Sequence, residues 1–145
     1  MVRVFLQDEA REAGIEVRVP RDLDAGIDMP ALHDVHFQPG ERLLIRTGVH
    51  LAIPAGWVGI IKDRSSVALK GVTTLAGVID SSYRGEVKIV AINLSQDIVS
   101  FKAGERIAQC VVLPHYAGGE VQFVGSLDEL GETERGAGGF GSTGR

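Results

Sequence analysis

With 145 residues, 44% of them hydrophobic and 23% charged, the chain has the size and composition of one globular domain that can bury a core without disulfides or metals. Its 15 Lys+Arg against 19 Asp+Glu give a formal net charge of -4, which excludes the basic footprint of a nucleic-acid binder, and its single cysteine, Cys110, excludes a disulfide framework and any CxxC site. Glycine is the outlier, at 19 residues, where the usual share of about 7% would give roughly half as many.

The opening MVRVFLQDEAR meets Asp8-Glu9 at once, without the apolar core of a signal peptide. No apolar run approaches the roughly 20 residues of a membrane span. The expectation is a cytoplasmic protein with neither a membrane nor a nucleic acid as partner. Short apolar and β-branched runs then follow one another: Val2–Leu6, Ile15–Val19, Val35–Phe37, Leu43–Ile53, Val58–Lys62, Val87–Asn93, Ile98–Phe101, Arg106–Leu113 and Val121–Val124. Ile15-Glu16-Val17-Arg18-Val19 alternates most cleanly, and Pro39-Gly40, Pro54-Ala55-Gly56 and Ala103-Gly104 separate the runs. Many short strands with such turns predict an all-β fold, a jelly-roll-like barrel or sandwich. One short helix is expected over Ser66–Lys70, capped by a serine and stopped by Gly71. After Val124 the chain turns acidic and then glycine-rich, ending RGAGGFGSTGR. The division expected is a β domain over 1–124 and a mobile tail over 125–145.

Five segments could carry chemistry. In the tail, Gly136-Ala137-Gly138-Gly139-Phe140-Gly141 matches GxGxxG literally, but the strand, helix and distant acid that a dinucleotide site requires are missing. It reads either as an ordinary mobile terminus or as a flap. As a flap, its backbone N–H groups, Ser142 and Thr143 would wrap phosphates while Phe140 stacks on a base. Asp63–Gly71, DRSSVALKG, is neither a Walker A loop nor a nucleophile elbow. Its Arg64, Ser65 and Ser66 suit an anion site at a helix start as well as they suit plain capping. In Gly77–Glu86, GVIDSSYRGE, a buried hairpin arm (Gly77-Val78-Ile79) delivers Asp80 to a turn, where an aspartate is most often simply turn chemistry. Asp28 in AGID and Gln109 in GERIAQC complete the set, each equally at home as a solvated polar residue.

In order and character these five segments resemble the five motifs of the trimeric dUTPase family, from about Asp24 to Arg145. GVIDSSYRGE and RGAGGFGSTG are the most diagnostic. The resemblance implies a homotrimer with each active site at a subunit junction. It also implies hydrolysis of dUTP to dUMP and pyrophosphate, which limits uracil incorporation into DNA and supplies dUMP for dTMP synthesis. Asp80 would be the general base that activates a water against the α-phosphorus. Tyr83 would pack under the deoxyribose and exclude a 2′-hydroxyl, while Thr74, Gly77 and Val78 belong to the hairpin that reads uracil. Arg64, Ser65, Ser66 and Gln109 would hold phosphates. Asp28 would hold a water on a Mg2+ carried by the triphosphate. Arg135, Phe140, Gly141, Ser142 and Thr143 would close over the nucleotide.

The departures from the family pattern are Ser82 where an acid often precedes the tyrosine, Thr74 for a common Asn, Ile27 for Tyr or Leu, Asp63 for Pro or Gly, and Glu105 for Asp. Other residues are set aside. His33 and His36 form an HxxH whose rings point apart on an extended chain, His50 and His115 show no evident partners, Cys110 reads as a small buried hydrophobe, and Trp57 reads as core or interface packing. Two rival readings remain. A dCTP deaminase, alone or bifunctional, would need a carboxylate beside the base that VKIVAIN does not supply. A non-catalytic jelly-roll module would have no use for Asp80 and the tail.

Overall fold

The computed structural model describes residues 1–21, 23–116, 121–134 and 136–137. Contacts divide the chain into two units, Met1–His115 and Tyr116–Arg145. In the first unit ten strands follow in order: β1 (Arg3–Leu6), β2 (Gly26–Pro30), β3 (Val35–Phe37), β4 (Arg42–Ala52), β5 (Trp57–Asp63), β6 (Val72–Leu75), β7 (Val78–Ile79), β8 (Glu86–Asn93), β9 (Val99–Phe101) and β10 (Arg106–Pro114). They form two four-stranded sheets, ordered β1-β4-β8-β6 and β2-β10-β5-β7, and a separate β3–β9 ladder. All these pairings are antiparallel. Among the described residues each sheet is open at both edges, so of the two all-β forms expected it is the sandwich, not a closed barrel, that the chain adopts.

Alternation places the core between the sheets. From β8, Val87, Ile89 and Ala91 point inward; Ile45, Val49 and Leu51 join them from β4, and Ile27, Met29, Ile61, Ala108 and Cys110 face them from the second sheet. Phe37 and Phe101 close the core edge to face, with ring centroids 6.4 Å apart. Burial pushes the Cys110 thiol up to about 11, as fits a small buried hydrophobe. Buried Asn93 is fully engaged: its amide donates to Asp97 O at 2.8 Å and its carbonyl accepts from Ser95 N at 2.9 Å, which fixes the loop after β8.

Several sequence expectations are corrected. Ile15–Val19 forms no strand; it runs alongside β2, where Asp28 N donates to Arg18 O, and Ile15 is buried with Ala10 and Leu32. Val121–Val124 is likewise irregular, and the second unit's described structure is a 3-10 turn at Asp128–Leu130, with Glu129 accepting from Gly125 N and Ser126 N. The one helix expected is joined by another: α1 (Asp8–Glu12) precedes α2 (Ser65–Ala68). Asp8 and Glu9 in the first turn of α1 and Arg11 in its last complement the helix dipole, and Ala10 is the helix's own fully buried residue. Trp57 is 42% exposed and so is not core.

Candidate active site

The phosphate-binding half of the expected site assembles at the ends of the second sheet. Asp28 on β2 lies directly opposite Gln109 on β10 in the strand register. Gln109 in turn pairs with Lys62 on β5, which ends at Asp63 and leads into α2. The expected serine cap is absent. Arg64 is the N-cap residue, its carbonyl accepts from Val67 N and Ala68 N, and no side chain caps the helix. Ser65 and Ser66 therefore occupy the first turn, where backbone N–H groups have no intrahelical acceptor.

These residues line one polar cavity of about 460 Å³ with Asp28, Arg64, Ser65, Ser66 and Gln109 in its wall. Arg18, Arg21 and Arg106 line it too, so four arginines face Asp24 and Asp28 there. Although the chain carries a net charge of -4, this recess sets four arginines against two carboxylates, an arrangement that draws in a polyanion. Asp28 holds the cationic wall in place: Arg64 Nε lies 3.1 Å from one carboxylate oxygen and Arg106 Nη1 donates to the other at 2.9 Å. Arg64 Nη1 also donates to Arg106 O at 2.9 Å. Gln109 is not a solvated strand residue. Its Nε2 donates to Asp63 O at 3.0 Å, and its side chain fills the space a Cβ at Gly26 would occupy, with Oε1 only 2.7 Å from that position.

A group carrying Mg2+ can be judged against these donors. Both oxygens of Asp28 are taken by arginines, and among the described residues no three His, Cys, Asp or Glu side chains gather to hold a metal. This donor set does not fit an ion ligated directly by the described side chains.

The second half lies on the β6–β7 hairpin. Thr74 ends in the β6 arm, Gly77 and Val78 form the turn and the other arm, and Asp80 follows β7 exposed to solvent. The arm is not buried as expected: Val78 is 65% exposed, because β7 is an edge strand. Ala76 (φ +57) and Gly77 (φ +99) both take left-handed backbone conformations, and a Cβ at Gly77 would sit 2.9 Å from Ile61 Cβ. Strain of this kind, held by its surroundings, is common where backbone must present itself to a ligand. Asp80 O accepts from Tyr83 N at 3.0 Å, closing the turn. The Tyr83 hydroxyl donates to Glu86 O at 2.9 Å, and the ring lies over Gly85, where any side chain would collide with it.

Glu86 anchors this turn to the body of the fold. Its carboxylate accepts from Thr47 N (3.2 Å), Gly48 N (2.9 Å) and Arg46 Nε (3.1 Å) at the register shift in β4. Burial alone would raise its pKa, but the Gly48 N–H and the Arg46 guanidinium outweigh it and hold the carboxyl below its ordinary value. His50, which showed no partner in the sequence, is engaged as well. Its Nδ1 donates to Arg84 O at 2.9 Å, so Nε2 accepts from Gln7 Nε2 at 2.8 Å. His33 lies 3.4 Å from Glu9, and His36 bonds Ser100.

The cavity wall thus brings together Asp28, Arg64, Ser65, Ser66 and Gln109, and it includes none of Thr74, Gly77, Val78, Asp80 or Tyr83. Arg135, Phe140, Gly141, Ser142 and Thr143 lie outside the described residues. Sequence reasoning missed Arg18, Arg21 and Arg106 as wall residues; Arg106, inside GERIAQC three residues before Gln109, was the one legible signal.

The dUTPase family model matches residues 12–144. The chain belongs to the dUTPase family. A deoxyuridine 5′-triphosphate nucleotidohydrolase of Nautilia profundicola is 46% identical over 124 residues, 83% of this chain and 84% of that protein. The dUTPase of Staphylococcus bacteriophage 80alpha, solved as a point mutant with dUpNHpp, superposes with a TM-score of 0.85 at 28% identity, covering 100% of this chain and 99% of that one. A mutant dUTPase from phage phi11 of S. aureus, described with a structural Mg(II) ion, shares the fold at a TM-score of 0.76 and 24% identity, over 88% and 99% of the two chains. The jelly-roll dUTPase fold is therefore the fold of this chain, and no helix among its described residues is long and apolar enough to cross a membrane.

Proposed function

We propose that the protein is a dUTP diphosphatase, cytoplasmic and homotrimeric, with active sites shared between subunits. The observation that carries the reading is the division of the site. One recess holds the arginine-lined cradle, and a separate exposed hairpin holds the carboxylate and the strained, base-facing backbone. A second copy supplies the missing half. An apolar row on the outer face of the first sheet supports such contact: Leu44 (62% exposed), Val90 and Leu75 (38% exposed) stand side by side across β4, β8 and β6.

The triphosphate lies in the cradle, bound by Arg64, the Ser65 and Ser66 hydroxyls and Gln109, with Asp28 keeping the guanidinium groups aimed. Asp80 accepts a proton from a water as that water's oxygen bonds to the α-phosphorus. The bond to pyrophosphate breaks in line, and dUMP and pyrophosphate leave. No covalent nucleophile takes part. Tyr83, pinned by Glu86 O and Gly85, presents its ring to the sugar, and Thr74 to Val78 present the backbone that reads uracil. Mg2+ carried on the phosphates would supply charge neutralisation, and Asp28 is the residue that would hold it through a water. Arg135, Phe140, Gly141, Ser142 and Thr143 serve as the lid that closes over the nucleotide.

A dCTP deaminase is disfavoured because Glu86, the one acid of β8, is committed to Thr47, Gly48 and Arg46. The deciding assay incubates the protein with Mg2+ and dUTP, dTTP, dCTP or UTP and identifies the products. This reading expects dUMP and pyrophosphate from dUTP, with the other three nucleotides turned over far more slowly; ammonia released from dCTP would replace it with the deaminase.

A further inference from the structure

The arms of the β6–β7 hairpin belong to different sheets. β6 pairs with β8 and β7 pairs with β5, and the two arms share no ladder among the described pairings. Hydrogen-bonded arms would leave no room for a ligand; splayed arms leave a gap whose width something must set. On the β7 side, Ile61 N donates to Gly77 O at 2.8 Å. On the β6 side, the Asp63 carboxylate reaches from the end of β5. Its Oδ1 accepts from Thr74 N (2.7 Å) and Thr74 Oγ1 (2.6 Å), and its Oδ2 accepts from Thr73 Oγ1 (2.7 Å). The backbone carbonyl of the same residue receives Gln109 Nε2 from the cradle. Asp63 also immediately precedes Arg64.

We infer that Asp63 is a positioning and specificity-determining residue of this active site. It sets the width of the base-reading gap and ties that gap to the phosphate cradle, and so it governs discrimination among pyrimidine bases. Two departures from the family pattern, Asp63 and Thr74, are thereby explained as partners of each other. Burial opposes ionisation of Asp63, but the three hydrogen bonds from Thr74 and Thr73 outweigh it and hold the carboxyl below its ordinary value, so it accepts as a carboxylate across the neutral range.

The inference rests on the dUTPase reading, and its test separates the two. Wild type, Asp63→Ala, Asp63→Asn and Thr74→Val are compared for kcat and KM on dUTP and dCTP, with melting and size-exclusion controls. Asp63→Ala should lose about ten- to a hundred-fold in kcat/KM for dUTP, mostly in KM, and lose less on dCTP, because misplacement by about 1 Å costs on that order. Asp63→Asn keeps an acceptor for Thr74 and should recover most of the preference for dUTP. Thr74→Val, which keeps the backbone bond, should shift the preference less and in the same direction, and it carries the test if Asp63→Ala does not fold. An active wild type whose Asp63→Ala and Thr74→Val variants keep the wild-type ratio of dUTP to dCTP overturns the inference alone. A folded wild type inactive on dUTP overturns the enzymatic reading and this inference with it.

Discussion

Replacing Glu86 by Gln removes a charge where the structure depends on it most. The side chain is 8% exposed and its oxygens take two backbone N–H groups and the Arg46 guanidinium. In the variant the amide oxygen can still accept from Thr47 and Gly48, but the amide NH2 faces Arg46 Nε, donor against donor. Breaking a buried pair by deleting one partner costs about 3–5 kcal/mol. Arg46 is 39% exposed and keeps Glu9 (3.0 Å) and Gln7 (2.8 Å), so about 2–3 kcal/mol is the expectation here. The assay is urea unfolding at one fixed protein concentration, since assembly shifts the midpoint. The pH dependence has a definite sign. A carboxyl held below its ordinary value stabilises fully above the unfolded glutamate pKa of about 4.3 and progressively less as the pH falls through its lower folded value. The gap between wild type and variant should therefore be widest near neutrality and shrink below about pH 4. A midpoint equal to wild type at pH 7.5, or a gap that widens on acidification, refutes the reasoning.

Asp80→Asn should leave folding and nucleotide binding intact and lower turnover by about 10²–10⁴, the usual worth of a positioned base, in steady-state dUTP hydrolysis; turnover within a few-fold of wild type would remove Asp80 from the mechanism. Tyr83→Ala should weaken dUTP binding and narrow the gap between dUTP and UTP, read as the ratio of their kcat/KM values; an unchanged ratio places 2′-hydroxyl discrimination elsewhere. Ending the chain after Gly131 should leave the melting midpoint nearly unchanged, because among the described residues no member of either core cluster, nor any hydrophobic packed against one, lies beyond Val112, while turnover falls steeply with the lid gone. Full activity in the truncated protein would make the tail an ordinary terminus.

Most strands of the sandwich were legible where alternation was backed by a partner. β8 is the clearest case, with Val87, Ile89 and Ala91 all inward. But β2 (Gly26–Pro30) and β6 (Val72–Leu75), short and rich in glycine, proline or threonine, were not among the expected runs although both are paired. Ile15–Val19 alternates just as well and forms no strand, since periodicity reports which residues could share a face and not whether a neighbouring strand is there to bond them. Helix α1 was hidden by its brevity: five residues cannot show a helical period, although Asp8, Glu9 and Arg11 were already placed as the dipole prefers. The site's motifs were legible as motifs, while their physical couplings were not. Nothing in the sequence links Asp28 to Arg106, 78 residues away, or Glu86 to Arg46, 40 residues away; only the register of β2 on β10 and of β4 on β8 brings them together.

In the proposed trimer the cradle and the catalytic carboxylate come from different subunits, so two variants that are each inactive should complement one another when mixed. Arg64→Ala disables the cradle and Asp80→Asn disables the base, so each homotrimer alone should hydrolyse dUTP hardly at all. Unfolded together in equal amounts and refolded, the chains should form mixed trimers in which about one site in four joins an intact Arg64 from one chain to an intact Asp80 from another. Recovered dUTP hydrolysis at roughly that fraction of the wild-type rate is the predicted result. A mixture no more active than its components, with mixed trimers shown to have formed, would contradict the claim and place the whole site within one chain.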